Sequence, residues 1–291
     1  MTKLSIIIPY HKLTSTLSEL IASIYNGCEH SSDIEVILVS DRAPLVDYID
    51  EYINLYCVRL PEGKYWGGAA RNYGLNIARG EYIIFADSDD CFLPGWFQVV
   101  MNNLKKYNES DLIFFKPKSY FKDGTISSRA RSYQYLIEDN DNGSDRILYR
   151  FHVPWSKVYK RKFLEVNGIF FDEVIASNDV NFSVRCGLNQ KSFSVSRDSF
   201  YSVIEHDSSL TKKITNETLS SRFSVIVEYN KLVPSKRRMP VTNIIIKSKK
   251  LRFSDFTYFL KRAFREHQPL FYSTSDILFF LKSRFYFYLK S

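Results

Sequence analysis

A chain of 291 residues with 45% hydrophobic side chains can bury a sizeable core, which excludes disorder as its main state. The four cysteines, Cys28, Cys57, Cys91 and Cys186, show neither CxxC spacing nor a dense framework; ordinary thiols in a reducing compartment are predicted, with no structural zinc. The net charge of +8 has much of its excess between Lys231 and Arg265, a bias that predicts an anionic surface as partner.

The N-terminus runs from Met1-Thr2-Lys3 into Leu4-Ser5-Ile6-Ile7-Ile8-Pro9, an apolar run too short for a signal peptide and ended by proline, so it reads as a buried strand. No stretch reaches the roughly 18 to 20 apolar residues of a membrane-spanning helix, so a soluble or peripheral protein of the cytoplasmic compartment is expected. Up to residue 116, apolar β-type runs alternate with helical ones, the pattern of a parallel sheet. Strands are predicted over Leu4 to Pro9, Glu35 to Ser40, Tyr56 to Leu60, Glu81 to Asp87 and Asp111 to Lys116. Helices are predicted around Ser15 to Tyr25, Leu45 to Leu55, Ala69 to Ala78 and Pro94 to Tyr107, with Gly80 as a C-cap signal and Pro94 in a first turn. Residues 117–150 read as polar loop, clearest at Asp139-Asn140-Asp141-Asn142-Gly143-Ser144. Regular structure resumes at His152-Val153-Pro154-Trp155, with helices near Arg161 to Val166 and Asp179 to Cys186, and the chain turns helical and basic-aromatic after residue 215.

Three constellations carry chemistry. The strand ending in Asp87-Ser88-Asp89-Asp90 delivers three carboxylates in four residues to a C-terminal strand edge, where open α/β sheets bind ligands. Clustered carboxylates repel, and oxygen-only ligands suit Mg²⁺ or Mn²⁺; the competing reading is an Asp that caps the next helix. A second strand ends in Asp41, which can accept from a base N–H or a ribose hydroxyl or simply serve a turn. Third, Gly67-Gly68-Ala69-Ala70-Arg71 opens a helix whose amides and arginine suit a pyrophosphate, although a structurally paired arginine is the commoner fate.

Taken in order, Ser5-Ile6-Ile7-Ile8-Pro9-Tyr10, Val39-Ser40-Asp41, Ala70-Arg71-Asn72-Tyr73-Gly74-Leu75, Ala78-Arg79-Gly80-Glu81-Tyr82 and Asp87-Ser88-Asp89-Asp90 resemble the family 2 glycosyltransferases of GT-A fold. The similarity covers roughly residues 3–210. It implies an α/β GT-A mixed sheet with flanking helices, with a catalytic domain over 1–215 divided into nucleotide- and metal-binding (1–116) and acceptor-binding (117–215) halves, and a helical extension over 216–291. It also implies that Pro9, Tyr10 and Asp41 contact the nucleotide, that Asp87-Ser88-Asp89 is the Asp-x-Asp motif, and that Asp89, with Asp87, binds the metal on the donor diphosphate. Trp155-Ser156-Lys157-Val158-Tyr159-Lys160-Arg161 looks like the acceptor-side stretch of bacterial polysaccharide transferases. In Asn178-Asp179 the family's Glu-Asp pair keeps its Asp, so the resemblance implies Asp179 as general base, with Asn178 in place of the Glu.

The function so implied is inverting transfer of a hexose or N-acetylhexosamine from a nucleotide sugar, a UDP-sugar first, to a glycan or lipid-linked glycan acceptor in O-antigen, lipooligosaccharide or capsule synthesis. Two readings of other classes stay open: a sugar-nucleotide-forming nucleotidyltransferase, against which the glycine-free Pro9-Tyr10-His11-Lys12-Leu13 loop speaks, and a non-catalytic module that kept the fold. His206 falls where related enzymes close a loop over the donor, but a lone histidine is more often a surface or hydrogen-bonded residue, as are His11 and His152. Trp66 and Trp155 offer sugar-stacking faces, with core packing as the default. The late aromatics and cations suit either an anionic lipid surface or packing on the catalytic domain; nucleic acid is not expected as a partner.

Overall fold

The structure is a computed structural model that describes residues 2–46, 51–63, 65–205 and 214–286. Its main sheet is built on β1 (Leu4–Tyr10), β2 (Ile34–Ser40), β3 (Leu55–Arg59) and β4 (Tyr82–Phe85), parallel neighbours in the order β3-β2-β1-β4. Their near-continuous Ile, Leu and Val content suits strands covered on both faces, and every residue of β2 and β4 is buried. The short β5 (Cys91–Phe92) follows; the main sheet continues beyond β4 with the antiparallel β8 (Lys157–Lys160), then β6 (Leu112–Phe115) and last β9 (Phe193–Ser196), which is parallel to β6. A small second sheet joins β5, β10 (Tyr201–Glu205) and β7 (Lys118–Phe121).

Helices cover the faces in the way their apolar spacing dictates. In α1 (Ser15–Asn26), Leu17, Leu20, Ile21 and Ile24 form one buried stripe, and the Thr14 hydroxyl caps the first turn by accepting from Leu17 N at 3.4 Å. α2 (Gly67–Ile77) returns the chain to β4, and α3 (Trp96–Lys106) anchors on the fully buried Trp96, whose indole N–H donates to Ile24 O at 2.9 Å.

At the N-terminal ends of the strands, buried Glu35 accepts from Ser5 Oγ at 2.5 Å, Arg79 N at 2.5 Å and Gly80 N at 3.1 Å. This corrects the reading of Gly80 as a helix C-cap: the cap of α2 is Ala78, and a Cβ on Gly80 would lie 2.5 Å from Ser5 N. The glycine lets the chain pass against β1 while its N–H reaches Glu35. Gly80→Ala is therefore expected to destabilise the fold by about 1–3 kcal/mol, the usual cost of overpacking, in chemical denaturation with an unchanged m-value.

Two other predictions need correction. The stretch read as a helix over Leu45 to Leu55 includes residues 47–50, which lie outside the described residues; residues 51–54 form turns, with Asn54 at φ 56, and Leu55 already belongs to β3. The backbone there is claimed by the sheet, because Val36 N donates to Asn54 O at 3.0 Å. Residues 117–150 are not loop throughout: they hold β7, α4 (Arg131–Asp141) and α5 (Ile147–Arg150). α4 buries only Leu136 and Ile137 fully, and the predicted Asp139–Ser144 loop begins as its last turn. After β8, α6 (Arg161–Val166) and α7 (Asn178–Asn189) fall close to their predicted positions.

Beyond residue 215 come α8 (Asn216–Leu232), α9 (Thr242–Ser248), α10 (Phe253–Arg265) and α11 (Thr274–Tyr286). Leu219, Phe223, Ile244, Ile245 and Phe259 of the first three make a core of their own. α11 is fixed to the sheet-bearing part by the buried Asp276, which accepts from Arg150 Nη2 at 2.5 Å and Arg146 Nε at 3.1 Å, and by buried Phe279 against Tyr135. The late aromatics thus divide: Phe259 and Phe279 pack inward, whereas Phe253 and Phe271 are 72% and 81% exposed. Among the described residues no helix is long and apolar enough to cross a membrane.

Candidate active site

The chain leaves β1 for β2 and β3 on one side and returns through α2 to β4 on the other, which makes the β1/β4 boundary a topological switch point. The registers Tyr10↔Ser40 and Ile7↔Phe85 bring the segments after β1, β2 and β4 to one edge. Pro9 lies in the ladder opposite Val39. Tyr10 is buried, donates to Pro44 O at 2.9 Å and lies 3.1 Å from Cys57 Sγ, with its hydroxyl pKa pushed up mainly by burial. Its side chain is therefore a wall of the site. The residue after it reaches the edge: His11 Nδ1 lies 2.7 Å and 2.9 Å from the two Asp41 carboxylate oxygens. The parallel register Tyr10↔Ser40 sets His11 beside Asp41, a pairing that a lone histidine in the sequence does not announce.

The acidic run is sorted by its partners. Asp90 is buried and points inward, accepting from Tyr201 Oη at 2.6 Å and Ile204 N at 3.0 Å. Burial, then repulsion by Asp87 and Asp89, pushes its pKa well up. The same Tyr201 oxygen accepts from Asp87 N at 3.0 Å, so one buried hydroxyl braces the turn at both ends. Asp87 is half-exposed and takes Arg71 Nη2 at 2.5 Å. Asp89 is exposed on the turn and Ser88 lies between the two. Within the acidic run an arginine offsets Asp87, and hydrogen bonds hold Asp90.

Arg71 joins the two halves of the site. Buried in α2, it donates through Nη2 to Asp87 and through Nη1 to Asn178 Oδ1 at 3.0 Å, and its guanidinium lies 5.4 Å from the Phe171 ring centroid. It is thus a structurally paired arginine. The glycines before it are likewise occupied by packing: a Cβ on Gly68 would lie 2.2 Å from Asp172 O. Next to Arg71, the Asn72 side chain donates to Phe171 O at 3.0 Å and accepts from Phe171 N at 2.8 Å, clamping α2 to the segment that leads into α7. Asn178 performs with its amide oxygen what a carboxylate would do toward Arg71, which orients the first turn of α7.

Asp179 follows in that turn. Burial raises its pKa, against the opposing charge of Arg71 and, more weakly, Lys157, while Asp87 adds to the rise. Ser177, just before the helix, has a left-handed φ of 62°; non-glycine residues so held cluster at functional sites. Lys157 of β8, unremarked as a charge in the sequence, is 1% exposed and donates to Phe151 O at 2.6 Å. Burial lowers its pKa to about 7. Trp155 is buried and stacks on Tyr201 at 6.0 Å, so the default of core packing holds. Trp66, half-buried, is the N-cap residue of α2. His206 lies outside the described residues.

The donor set accommodates a divalent cation. Among the described residues no three Asp, Glu, His or Cys side chains form a ready-made cage. Mg²⁺ and Mn²⁺ at phosphate sites commonly take one or two carboxylates plus substrate phosphate oxygens and water, and the carboxylates of Asp89 and Asp87 match that number.

A switch-point edge bearing Asp41, Asp87 and Asp89, with the α7 turn that carries Asp179 tied to it through Arg71, has the arrangement of an α/β domain of GT-A type. The profile of Glycosyl transferase family 2 matches residues 5–168, and the chain belongs to that family. The nucleotidyltransferase reading is thereby set aside. The chain is 30% identical over 217 residues to the poly(ribitol-phosphate) β-glucosyltransferase of Bacillus spizizenii, covering 70% of this chain and 33% of that protein. It is 28% identical over 253 residues to the poly(ribitol-phosphate) β-N-acetylglucosaminyltransferase TarP of Staphylococcus aureus, covering 80% of this chain and 72% of that one. The chain thus spans about a third of the first relative's length. The crystal structure of S. aureus TarS 1-349 in complex with UDP-GlcNAc superposes with a TM-score of 0.65 at 21% identity, covering 91% of this chain and 73% of that one, which shows the shared fold.

Proposed function

We propose that the chain is an inverting glycosyltransferase that moves a hexose or N-acetylhexosamine from a UDP-sugar to a hydroxyl of a bacterial surface polymer. The observation that carries this reading is the Arg71 bridge, which places the donor-side Asp87 and the turn bearing Asp179 on one guanidinium. The relatives named for poly(ribitol-phosphate) favour a polyol-phosphate acceptor over the O-antigen, lipooligosaccharide or capsule context. The sugar-transferring unit is 1–215, with 216–291 as a helical extension. Exposed Phe253, next in sequence to Lys249, Lys250 and Arg252, suits peripheral contact with anionic lipid on the cytoplasmic face.

In this reading Asp41, steadied by His11, accepts from the base or ribose, and Pro9 and Tyr10 form the adjoining wall. Asp89 and Asp87 would hold a divalent ion, which when bound would supply Lewis-acid stabilisation of the leaving diphosphate. Asp179 accepts the proton of the acceptor hydroxyl as that oxygen attacks the anomeric carbon from the face opposite the nucleotide. Burial raises its pKa, which makes it a stronger base than an ordinary aspartate, while the charge of Arg71 opposes that rise. Calorimetric titration of UDP is the test. Wild type is expected to bind more tightly with Mn²⁺ than with chelator, and Asp89→Ala to lose that difference. Equal UDP affinity in all four conditions would remove Asp89 from the donor site.

A further inference from the structure

The turn Asp87-Ser88-Asp89-Asp90 leaves β4, yet it is held at both ends by β10, whose Tyr201 lies 111 residues beyond Asp90. Within the turn, Asp90 N donates to Asp87 O at 3.2 Å. From β10, Tyr201 Oη donates to Asp90 Oδ2 at 2.6 Å and accepts from Asp87 N at 3.0 Å, and Ile204 N donates to Asp90 Oδ1 at 3.0 Å. The Asp87 and Asp89 side chains branch from the stretch between these anchors.

A phenol suits this task because its one oxygen both donates and accepts. Tyr201 is fully buried, and its ring is fixed from two sides, edge-on to Phe92 of β5 at 5.5 Å and stacked on Trp155 at 6.0 Å. β10 pairs in parallel with β7, Ser202 opposite Lys118, so the strand behind the ring belongs to the second half of the chain. A phenylalanine would fill the same space; only the oxygen reaches the turn. Like charges two residues apart repel, and Mg²⁺ or Mn²⁺ demands near-octahedral ligands held within about 0.5 Å of their places. Arg71 steadies the Asp87 carboxylate itself, but the path of the main chain that sets Asp89 relative to it depends on the two anchored ends.

On the reading of Asp89 and Asp87 as metal-holding carboxylates, we propose that Tyr201 is a positioning residue of the donor site, its hydroxyl setting the spacing of those two carboxylates by fixing both ends of their turn. The grip on the donor's metal is then governed from the second half of the chain, by a residue outside the part matched by the family profile.

The test is calorimetric titration of UDP into the full chain, with Mn²⁺ and with chelator, so that it needs no turnover. Tyr201→Phe keeps the ring and removes only the oxygen. Its Kd for UDP in Mn²⁺ should rise roughly tenfold or more, the scale of one lost hydrogen bond to a charged group, while its Kd in chelator stays within about twofold of wild type. Phe200→Leu serves as the control for packing: Phe200 is buried beside Tyr201 and lies 5.9 Å from the Phe92 ring, but it does not touch the turn through a side-chain hydrogen bond. That variant should lower the thermal midpoint and keep the whole manganese gain, which is also how Tyr201→Phe would behave if the tyrosine only filled space. Asp90→Asn, which withdraws the charged acceptor from Tyr201, should lose manganese gain as Tyr201→Phe does. A Tyr201→Phe protein with the wild-type gain would overturn the proposal, as would one that does not fold while Asp90→Asn retains the gain. Loss of the gain in Asp89→Ala alone would leave the metal reading standing and remove only Tyr201; no gain in wild type would remove both.

Discussion

Asp179→Asn is expected to lower the transfer rate by about 10²- to 10⁴-fold, the usual cost of removing a general base, while UDP affinity stays close to wild type. The substitution keeps the shape of the side chain and removes its charge. It is also expected to stabilise the fold at neutral pH. The sign follows from linkage: burial raises the native pKa above the unfolded value, so between the two values the native state binds the extra proton and stability falls as pH rises. The cost is absent below the unfolded pKa and fully present above the native one. Denaturation across pH 3–8 should therefore show the two proteins converging in acid and the variant ahead near neutrality. The acid limb of the wild-type pH–rate profile should lie above the ordinary aspartate value of about 3.9. A variant that transfers at the wild-type rate would remove Asp179 from the base role.

Asp276→Ala is expected to cost about 3–5 kcal/mol, the range for breaking a buried ion pair by deleting one partner. The carboxylate is fully buried, and its loss leaves the guanidinium of Arg150, 6% exposed, without its anion and Arg146 with only the longer contact to Asp139 at 3.4 Å. Arg150 also donates to Tyr229 Oη at 3.3 Å, so the strain reaches α8. Denaturant midpoints read the effect. An Asp276→Leu/Arg150→Met double variant should recover much of the loss, because packed apolar groups can replace a buried pair. An Asp276→Ala protein as stable as wild type would show that α11 is not locked by this contact.

Much of the nucleotide half was legible because its signals are local. Apolar strands specify the parallel ladder, and the two that run into acids, β2 into Asp41 and β4 into Asp87 and Asp89, mark the edge of the sheet where ligands gather. What could not be read was partnership. Nothing near Asp90 announces Tyr201, 111 residues away, and nothing near Arg71 announces Asn178, 107 residues away. With those partners in place, Asp90 and Arg71 brace the site. Gly80 was misread for a related reason: a glycine after a helix signals a cap locally, but its lack of a Cβ serves contact with Ser5 in another strand. α4 escaped because its two fully buried residues sit among polar ones, too few to show a helical period.

The most direct test of inverting transfer is the anomeric configuration of the product. The chain would be incubated with α-linked UDP-GlcNAc or UDP-glucose, a ribitol-phosphate hexamer and Mn²⁺, and the new linkage read by the proton coupling at the anomeric carbon. A β-linked sugar is the outcome of in-line attack by an acceptor activated at Asp179; an α-linked product would contradict that mechanism.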